Sequence, residues 1–166
     1  MDTDIETLIS TMAQSLRALL QAQRIESACM VGIHTGGVWI AQRLHALLEL
    51  EQPLGSLDIS FYRDDFTRIG MNPQVQPSNL PFNVDDRHII LVDDVLHTGR
   101  TIRAALNELF DYGRPASIML AVLVERSGRE LPIQANVVGR HMDLGPQEHV
   151  KLTGPEPLAL TTTRSA

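Results

Sequence analysis

A chain of 166 residues, 43% hydrophobic and 20% charged, has the length of one domain and the balance of a folded globular protein, which excludes wholesale disorder. Its longest apolar runs, such as IMLAVLV, fall far short of the roughly 20 residues that a membrane-spanning helix requires. The net charge of −6 argues against a surface built uniformly for polyanions, although 13 of the 14 basic residues are arginine, the side chain that grips phosphate bidentately.

The opening MDTDIETLIS is acidic and passes straight into helical periodicity, so no secretory leader is expected. Ile5, Leu8, Ile9, Met12, Leu16, Leu19 and Leu20 recur at helical spacing with Thr3 or Asp4 as a cap, which predicts an amphipathic helix over 4–23 whose apolar stripe is core. ACMVGI predicts a short buried strand. Cys29 within it is the single cysteine, so it forms no intramolecular disulfide, and it has no accompanying catalytic motif; a buried, inert thiol in a reducing cytoplasm is the expectation. The strand ends in the turn HTGG, and VWIAQRLHALLEL then predicts a helix with Val38, Ala41, Leu44 and Leu48 on one face.

LDISFYR alternates Leu57, Ile59 and Phe61 with Asp58, Ser60 and Tyr62, the period of a half-buried strand. From Asp64 to Arg87 the periodicity dissolves around three prolines, and a connection of that length in a compact domain is usually functional, which predicts a lid over 64–87. HIILV then reads as a strand, TIRAALNELFDYG as a helix closed by Gly113, ASIMLAVLV as a strand, and PIQANVVGRHM as a short strand. The tail KLTGPEPLALTTTRSA is too rich in proline and threonine to assign. Strands alternating with helices predict an α/β fold, a mainly parallel sheet covered on both faces, in a single domain over 1–166.

The chemistry concentrates in HIILVDDVLHTGRTIRAAL. Two acids, Asp93 and Asp94, end an apolar run, and Val95, Leu96, His97, Thr98, Gly99, Arg100 and Thr101 lead into a helix. Backbone amides at a helix N-terminus attract phosphate, Gly99 permits close approach, and the hydroxyls of Thr98 and Thr101 add donors. Ionised carboxylates accept hydrogen bonds from hydroxyl groups. Acids and free amides together therefore suit a phosphorylated sugar, whereas a lone pair of aspartates would be an N-cap and a solvated neighbour. The P-loop pattern G-x-x-x-x-G-K-[ST] is missing, VGIHTGG lacks the spacing of a dinucleotide fingerprint, and His34, His45, His88, His97, His141 and His149 show no metal-ligand spacing.

IILVDDVLHTGRT resembles the phosphoribosyl-pyrophosphate signature of type I phosphoribosyltransferases. With VGIHTGG, DISFYRDD and FDYGRPASIMLAVLVERSGRELPI, the stretch from Met30 to Gly139 resembles the PyrR family of bifunctional pyrimidine operon regulators and uracil phosphoribosyltransferases. That resemblance implies the type I phosphoribosyltransferase fold with a mobile hood, corresponding to the proline-bearing stretch after Arg63. It implies joining of uracil to phosphoribosyl pyrophosphate with Mg2+, forming UMP and pyrophosphate. It also implies UMP-responsive binding of pyrimidine operon leader RNA by a homodimer or tetramer.

On this chain the resemblance gives Asp93 and Asp94 the ribose hydroxyls, residues 95–101 the phosphate, and Thr35 and Gly36 the pyrophosphate. Arg63 is a candidate pyrophosphate contact, its rival reading being an ion pair with Asp64 or Asp65. Uracil is expected at the VVGR turn, read by backbone groups of Val138 and Arg140. Magnesium would arrive on the pyrophosphate, with no dedicated carboxylate cage.

Two departures stand out. Thr35-Gly36-Gly37 replaces the family's Thr-Arg-Gly, removing one cation near the leaving group. Arg126 and Arg129 are kept, but Gln134 stands where RNA-binding members carry a basic residue, and the first helix offers only Arg17 and Arg24. A nucleotide-sensing RNA regulator with little catalysis and a purine phosphoribosyltransferase are the alternatives.

Overall fold

The computed structural model describes residues 4–59 and 78–165. Its centre is a run of strands with almost no polar residue, and burial on both faces explains why: β1 (Ala28–Ile33) is buried at every position, as are the inner residues of β3 (His88–Leu96) and β4 (Ser117–Arg126). With β2 (Gly55–Leu57) and β5 (Val137–Met142) they form a five-stranded sheet in the order β2-β1-β3-β4-β5, every pairing parallel. Successive residues supply opposite faces. Ile90 and Val92 meet α1 (Ile5–Ala22) and α2 (Gly36–Leu48) through Ile9, Met12, Leu16, Ile40 and Leu44; Ile89 and Leu91 meet α3 (Arg100–Tyr112) through Ile102, Ala105 and Leu109.

The expected α1 is present, and Asp4 is its cap, accepting from the Glu6 N–H at 3.3 Å; Thr3, the other candidate cap, lies outside the described residues. Cys29 is buried as expected, and burial pushes its thiol up, away from the reactive thiolate. The second helix begins two residues earlier than its apolar pattern announces, because Gly36 and Gly37 form its first turn, and Ile40 is buried where the half-buried Val38 was expected to lead.

Strand β3 also runs past the predicted HIILV, so both acids lie on its last residues rather than in the following turn. Strand β2 ends at Leu57, and Asp58 is buried along with Leu57 and Ile59 instead of alternating outward; the rest of LDISFYR, residues 60–63, lies outside the described residues. Residues 60–77 lie outside the described residues, and with them most of the expected lid and its hinge. The end of that stretch packs onto the sheet: Asn79 exchanges two 2.8 Å backbone hydrogen bonds with Ser56, and Val84 belongs to the core beside Leu80 and Phe82.

The tail that resisted assignment is an antiparallel hairpin, β6 (Glu148–Thr153) and β7 (Ala159–Arg164). Val150, Leu152, Leu158 and Leu160 lay it against the α1–α2 face. Arg43 of α2 fastens its turn, with Nε 3.0 Å from Glu6 Oε1 and Nη2 donating to the Pro155 carbonyl at 3.1 Å.

Order β2-β1-β3 means that the chain leaves β1 in one direction for β2 and returns on the other side for β3. Such a switch point opens a crevice beyond the carboxyl ends of those strands, and ligands of open α/β sheets bind there.

On the opposite side of the sheet, Ser78 Oγ donates to Glu108 Oε1 at 2.7 Å and accepts from the Asp58 N–H at 3.1 Å. Glu108 Oε2 is buried with no hydrogen-bond partner among the described residues. Burial raises the Glu108 carboxyl above its usual range, the Ser78 bond pulls it down, and the Asp58 and Asp111 carboxylates push it up again. A raised value means that the folded state holds the proton more tightly than the unfolded chain. Stability from this group is thus full below the ordinary carboxylate range of about 4.3 and lost as pH rises through the folded value. Glu108→Gln, which removes the buried charge, should raise Tm at pH 8 and change it far less at pH 4.5, as read by paired thermal melts.

Candidate active site

The crevice is built from two parallel neighbours, and their pairing sets its dimensions. Gly32 stands beside Val92 in the β1–β3 register, so the turn after Ile33 and the pair Asp93–Asp94 emerge side by side. They touch. A β-carbon at Gly36 would lie 2.8 Å from Asp94 Cγ, and one at Gly37 would lie 2.6 Å from the Val92 carbonyl oxygen. The absence of a side chain at 36 is therefore a matter of space as well as of charge: with Asp94 placed as it is, an arginine there would require the carboxylate to turn. Thr35 is exposed at the head of α2, its hydroxyl not engaged in capping.

Both carboxylates are held by local hydrogen bonds. Asp93 is only 5% exposed, and its Oδ1 accepts from the Asp94 N–H at 2.8 Å; Asp94 Oδ1 accepts from the Val95 N–H at the same distance. Each acid is thus anchored through one oxygen by the residue after it. Asp94 is half-buried, with Oδ2 beside Gly36 at the junction of the two turns.

Directly after the acids, a cavity of about 140 Å³ is lined by Val95, Leu96, His97, Thr98, Gly99, Thr101 and Ile102. All the residues expected to hold a phosphate are in this stretch, and all but Arg100 line the cavity. Gly99 is the N-cap of α3 with φ +99°, a backbone conformation that only glycine adopts without strain. Thr98 Oγ1 accepts from the Arg100 N–H at 3.1 Å, which leaves its hydroxyl proton to donate elsewhere. Unpaired N–H groups of the first turn and the dipole of a 13-residue helix make the cavity favourable to an anion.

Val138 and Arg140 sit on β5 rather than in a turn. Through the shared partner Val122, Val138 lies in the row of Asp93, two strands across, at about 10 Å for the usual strand spacing. Arg140 lies in the row of Val95 and lines a separate cavity with Asp4, Met142 and Leu160. Arg63 is outside the described residues. Among the described residues no three of His, Cys, Asp and Glu come together to hold a metal ion, and no helix is long and apolar enough to cross a membrane.

Of the two arginines kept in the segment weighed for RNA, Arg126 is buried and Arg129 is an exposed partner of Glu125. Arg126 is 6% exposed, with Nη1 donating to the Glu148 carbonyl at 2.6 Å and Nη2 to the Gly145 carbonyl at 3.1 Å. Arg129 pairs with Glu125 at 2.8 Å. Arg17 Nη2 donates to the Leu47 carbonyl at 2.8 Å.

A family model for the phosphoribosyl transferase domain matches residues 3–149. The protein named Bifunctional protein PyrR from Nitrosococcus oceani is 65% identical over 157 residues, spanning 93% of this chain and 89% of its own. The chain belongs to the PyrR family of phosphoribosyltransferases. The PyrR protein of Pseudomonas paraeruginosa is 61% identical over 153 residues, 92% of this chain and 90% of its own. Among solved structures, a hypoxanthine phosphoribosyltransferase from Staphylococcus aureus matches with a TM-score of 0.64 at 20% identity, over 83% of this chain and 74% of that one. One from Trypanosoma cruzi reaches 0.65 at 19%, over 84% and 74%. At such identity these purine enzymes bear out the type I fold and say nothing of the base.

Partial burial lowers the affinity of His97 for a proton, and the Arg126 and His149 charges lower it further against an opposing pull from Glu130. A depressed folded value means that the unfolded chain takes up this proton first as pH falls. Stability from His97 is then present above the ordinary histidine range of about 6.5 and lost as pH drops through the folded value. His97→Gln should therefore lose less Tm than the parent protein between pH 7.5 and pH 5, measured by melting both across that interval.

Proposed function

We propose that the chain transfers the phosphoribosyl group of phosphoribosyl pyrophosphate to uracil, giving UMP and pyrophosphate, and that its UMP-bound form regulates pyrimidine operon expression through leader RNA. The observation that carries the reading is the contact of three parts at one switch point: the anchored pair Asp93–Asp94, the cavity behind it at the head of α3, and the Gly36–Gly37 turn against it. Strong similarity to proteins named PyrR supports uracil as the base.

In this reading the cavity lined by residues 95–102 takes the 5′-phosphate on backbone amides and threonine hydroxyls. Asp93 and Asp94 accept hydrogen bonds from the ribose hydroxyls, and Thr35 and Gly36 receive the pyrophosphate. The anomeric carbon is then suspended over the crevice. Uracil approaches from β5, where the backbone of Val138 and Arg140 reads its edge; N1 forms the bond to C1′, the C1′–O bond to pyrophosphate breaks, and the N1 proton passes to solvent.

Positive charge develops on the ribose as the leaving group departs, and two anchored carboxylates stabilise it without having to reorient. Hard carboxylate oxygens beside the crevice fit a hydrated magnesium ion carried by pyrophosphate, which needs few protein ligands. When bound, the ion neutralises charge on the leaving group. Arg63, a further pyrophosphate contact on the family's pattern, belongs to the same proposal.

Regulation follows if UMP binds the RNA-competent form more tightly than the other form, since only a differential affinity shifts a population. A homodimer or tetramer would gather arginines from several copies on one face. Contacts to RNA phosphates make that binding salt-sensitive.

Incubation with uracil, phosphoribosyl pyrophosphate and magnesium should yield UMP, with hypoxanthine and guanine failing to compete; no product at high protein concentration would reject the reading. Asp94→Asn keeps an oxygen for the Val95 N–H but removes the charge, and it should lower kcat/KM by about 100-fold with Tm nearly unchanged. Gel-shift titration of leader RNA at two salt concentrations, with and without UMP, checks the regulatory half: UMP should tighten binding.

A further inference from the structure

Four consecutive residues, the loop His97–Gly99 between β3 and α3 and the first residue of α3, are each met by one short stretch of the β4–β5 connection. The His97 ring fills the space left at Gly128, where a β-carbon would stand 2.7 Å from Nε2. The Thr98 carbonyl accepts from the Glu130 N–H and the Leu131 N–H, both at 3.0 Å. A β-carbon on Gly99 would approach Leu131 Cβ to 3.2 Å, and Arg100 Nε donates to Glu130 Oε1 at 3.1 Å. Nothing in the sequence of residues 128–131 announces this, because its two central contacts are made by backbone.

The double hydrogen bond on Thr98 has a directional consequence. The Thr98–Gly99 peptide is not among the cis bonds of the described residues, and in a planar trans peptide the C=O and N–H point opposite ways. Holding the Thr98 oxygen against residues 130 and 131 turns the Gly99 N–H away from them, and Gly99 itself lines the cavity shared with Val95, His97 and Thr101. Both lone pairs of the carbonyl are used, so rotating this peptide would break two hydrogen bonds at once.

We propose that Glu130 and Leu131 form a positioning element, their paired amides fixing the Gly99 N–H in its anion-binding direction before ligand arrives. The inference rests on the reading of residues 95–101 as a phosphate cradle and adds what holds that cradle in shape. Pre-set donors spare the ligand the cost of ordering them.

The test separates the amide from the side chain. Glu130→Pro deletes one N–H; Glu130→Ala keeps it and removes only the carboxylate. With UMP as the titrant in calorimetry, E130P should bind about fivefold more weakly, the effect of one lost hydrogen bond, while E130A stays within twofold of the parent protein. In turnover, E130P should raise KM for phosphoribosyl pyrophosphate by a similar factor and leave kcat within twofold. Should E130P fail to fold, replacing the Leu131 amide by an ester in the full chain removes the second N–H with little change of shape, and the same fivefold loss is expected. UMP affinity unchanged in E130P or in the ester would overturn the inference, as would equal losses in E130P and E130A. A parent protein that does not bind UMP at all would sink the reading of the site together with this one.

Discussion

The constraint on which the molecule depends is the parallel pairing of β1 with β3. It sets two strand ends side by side, each feeding a helix, and so brings the turn at Thr35–Gly37 against the pair Asp93–Asp94. Neither strand could shift by one residue without exchanging its two faces, because Ile89 and Leu91 serve one core and Ile90 and Val92 the other. The double burial that makes β3 an unbroken apolar run is therefore also what fixes the height of the acids above the sheet. Core packing and site geometry are one register.

Placing carboxylates next to a proposed phosphate site looks self-defeating until their anchoring is considered. Asp93 and Asp94 lie near the end of β3 and are each held by the following N–H, whereas the cavity begins beyond them, between Val95 and the start of α3. In the proposed reading, negative charge is held at the sugar's end of the site, and the amides of the helix start receive the phosphate. The paired bonds from residues 130 and 131 to Thr98 add rigidity to the second half, just as the Asp93 and Asp94 bonds do to the first. Donors already set in direction spare a ligand the cost of ordering them, and anchored carboxylates need not reorient as charge develops.

How much of this could be read from residues alone follows from which signals are local. Helix α1, strands β1 and β4, and helix α3 announce themselves through periodicity and caps, and the acids with Thr98–Gly99 announce chemistry through residue type. The hairpin β6–β7 was hidden because prolines 155 and 157 and a threonine run mask a true alternation of Val150, Leu152 and Leu160. The outward face read for Asp58 in LDISFYR is not observed, since Asp58 is buried. Residues far along the chain meet it there: Asn79 pairs with Ser56 and Ser78 Oγ accepts from the Asp58 N–H, and no local pattern encodes that encounter. Arg126 misled in the same way, for its partners are carbonyls at 145 and 148 that only tertiary folding brings near. Of the candidate site, the residue types were visible in the sequence, whereas the hydrogen bonds from the Glu130 and Leu131 amides to the Thr98 carbonyl were not.

The arginine content, suggestive at the level of composition, resolves into something else. Arg17, Arg43 and Arg126 spend hydrogen bonds on main-chain carbonyls, and Arg100 and Arg129 face glutamates. Much of the cationic side-chain chemistry thus holds helices, hairpin and loops together. In the proposed reading, anion recognition in the crevice falls instead to backbone amides and threonine hydroxyls, which carry no net charge. A net charge of −6 is then no obstacle to the proposed binding of a multiply charged sugar phosphate, because the field at the cavity is set by the start of α3 rather than by the sum of surface charges.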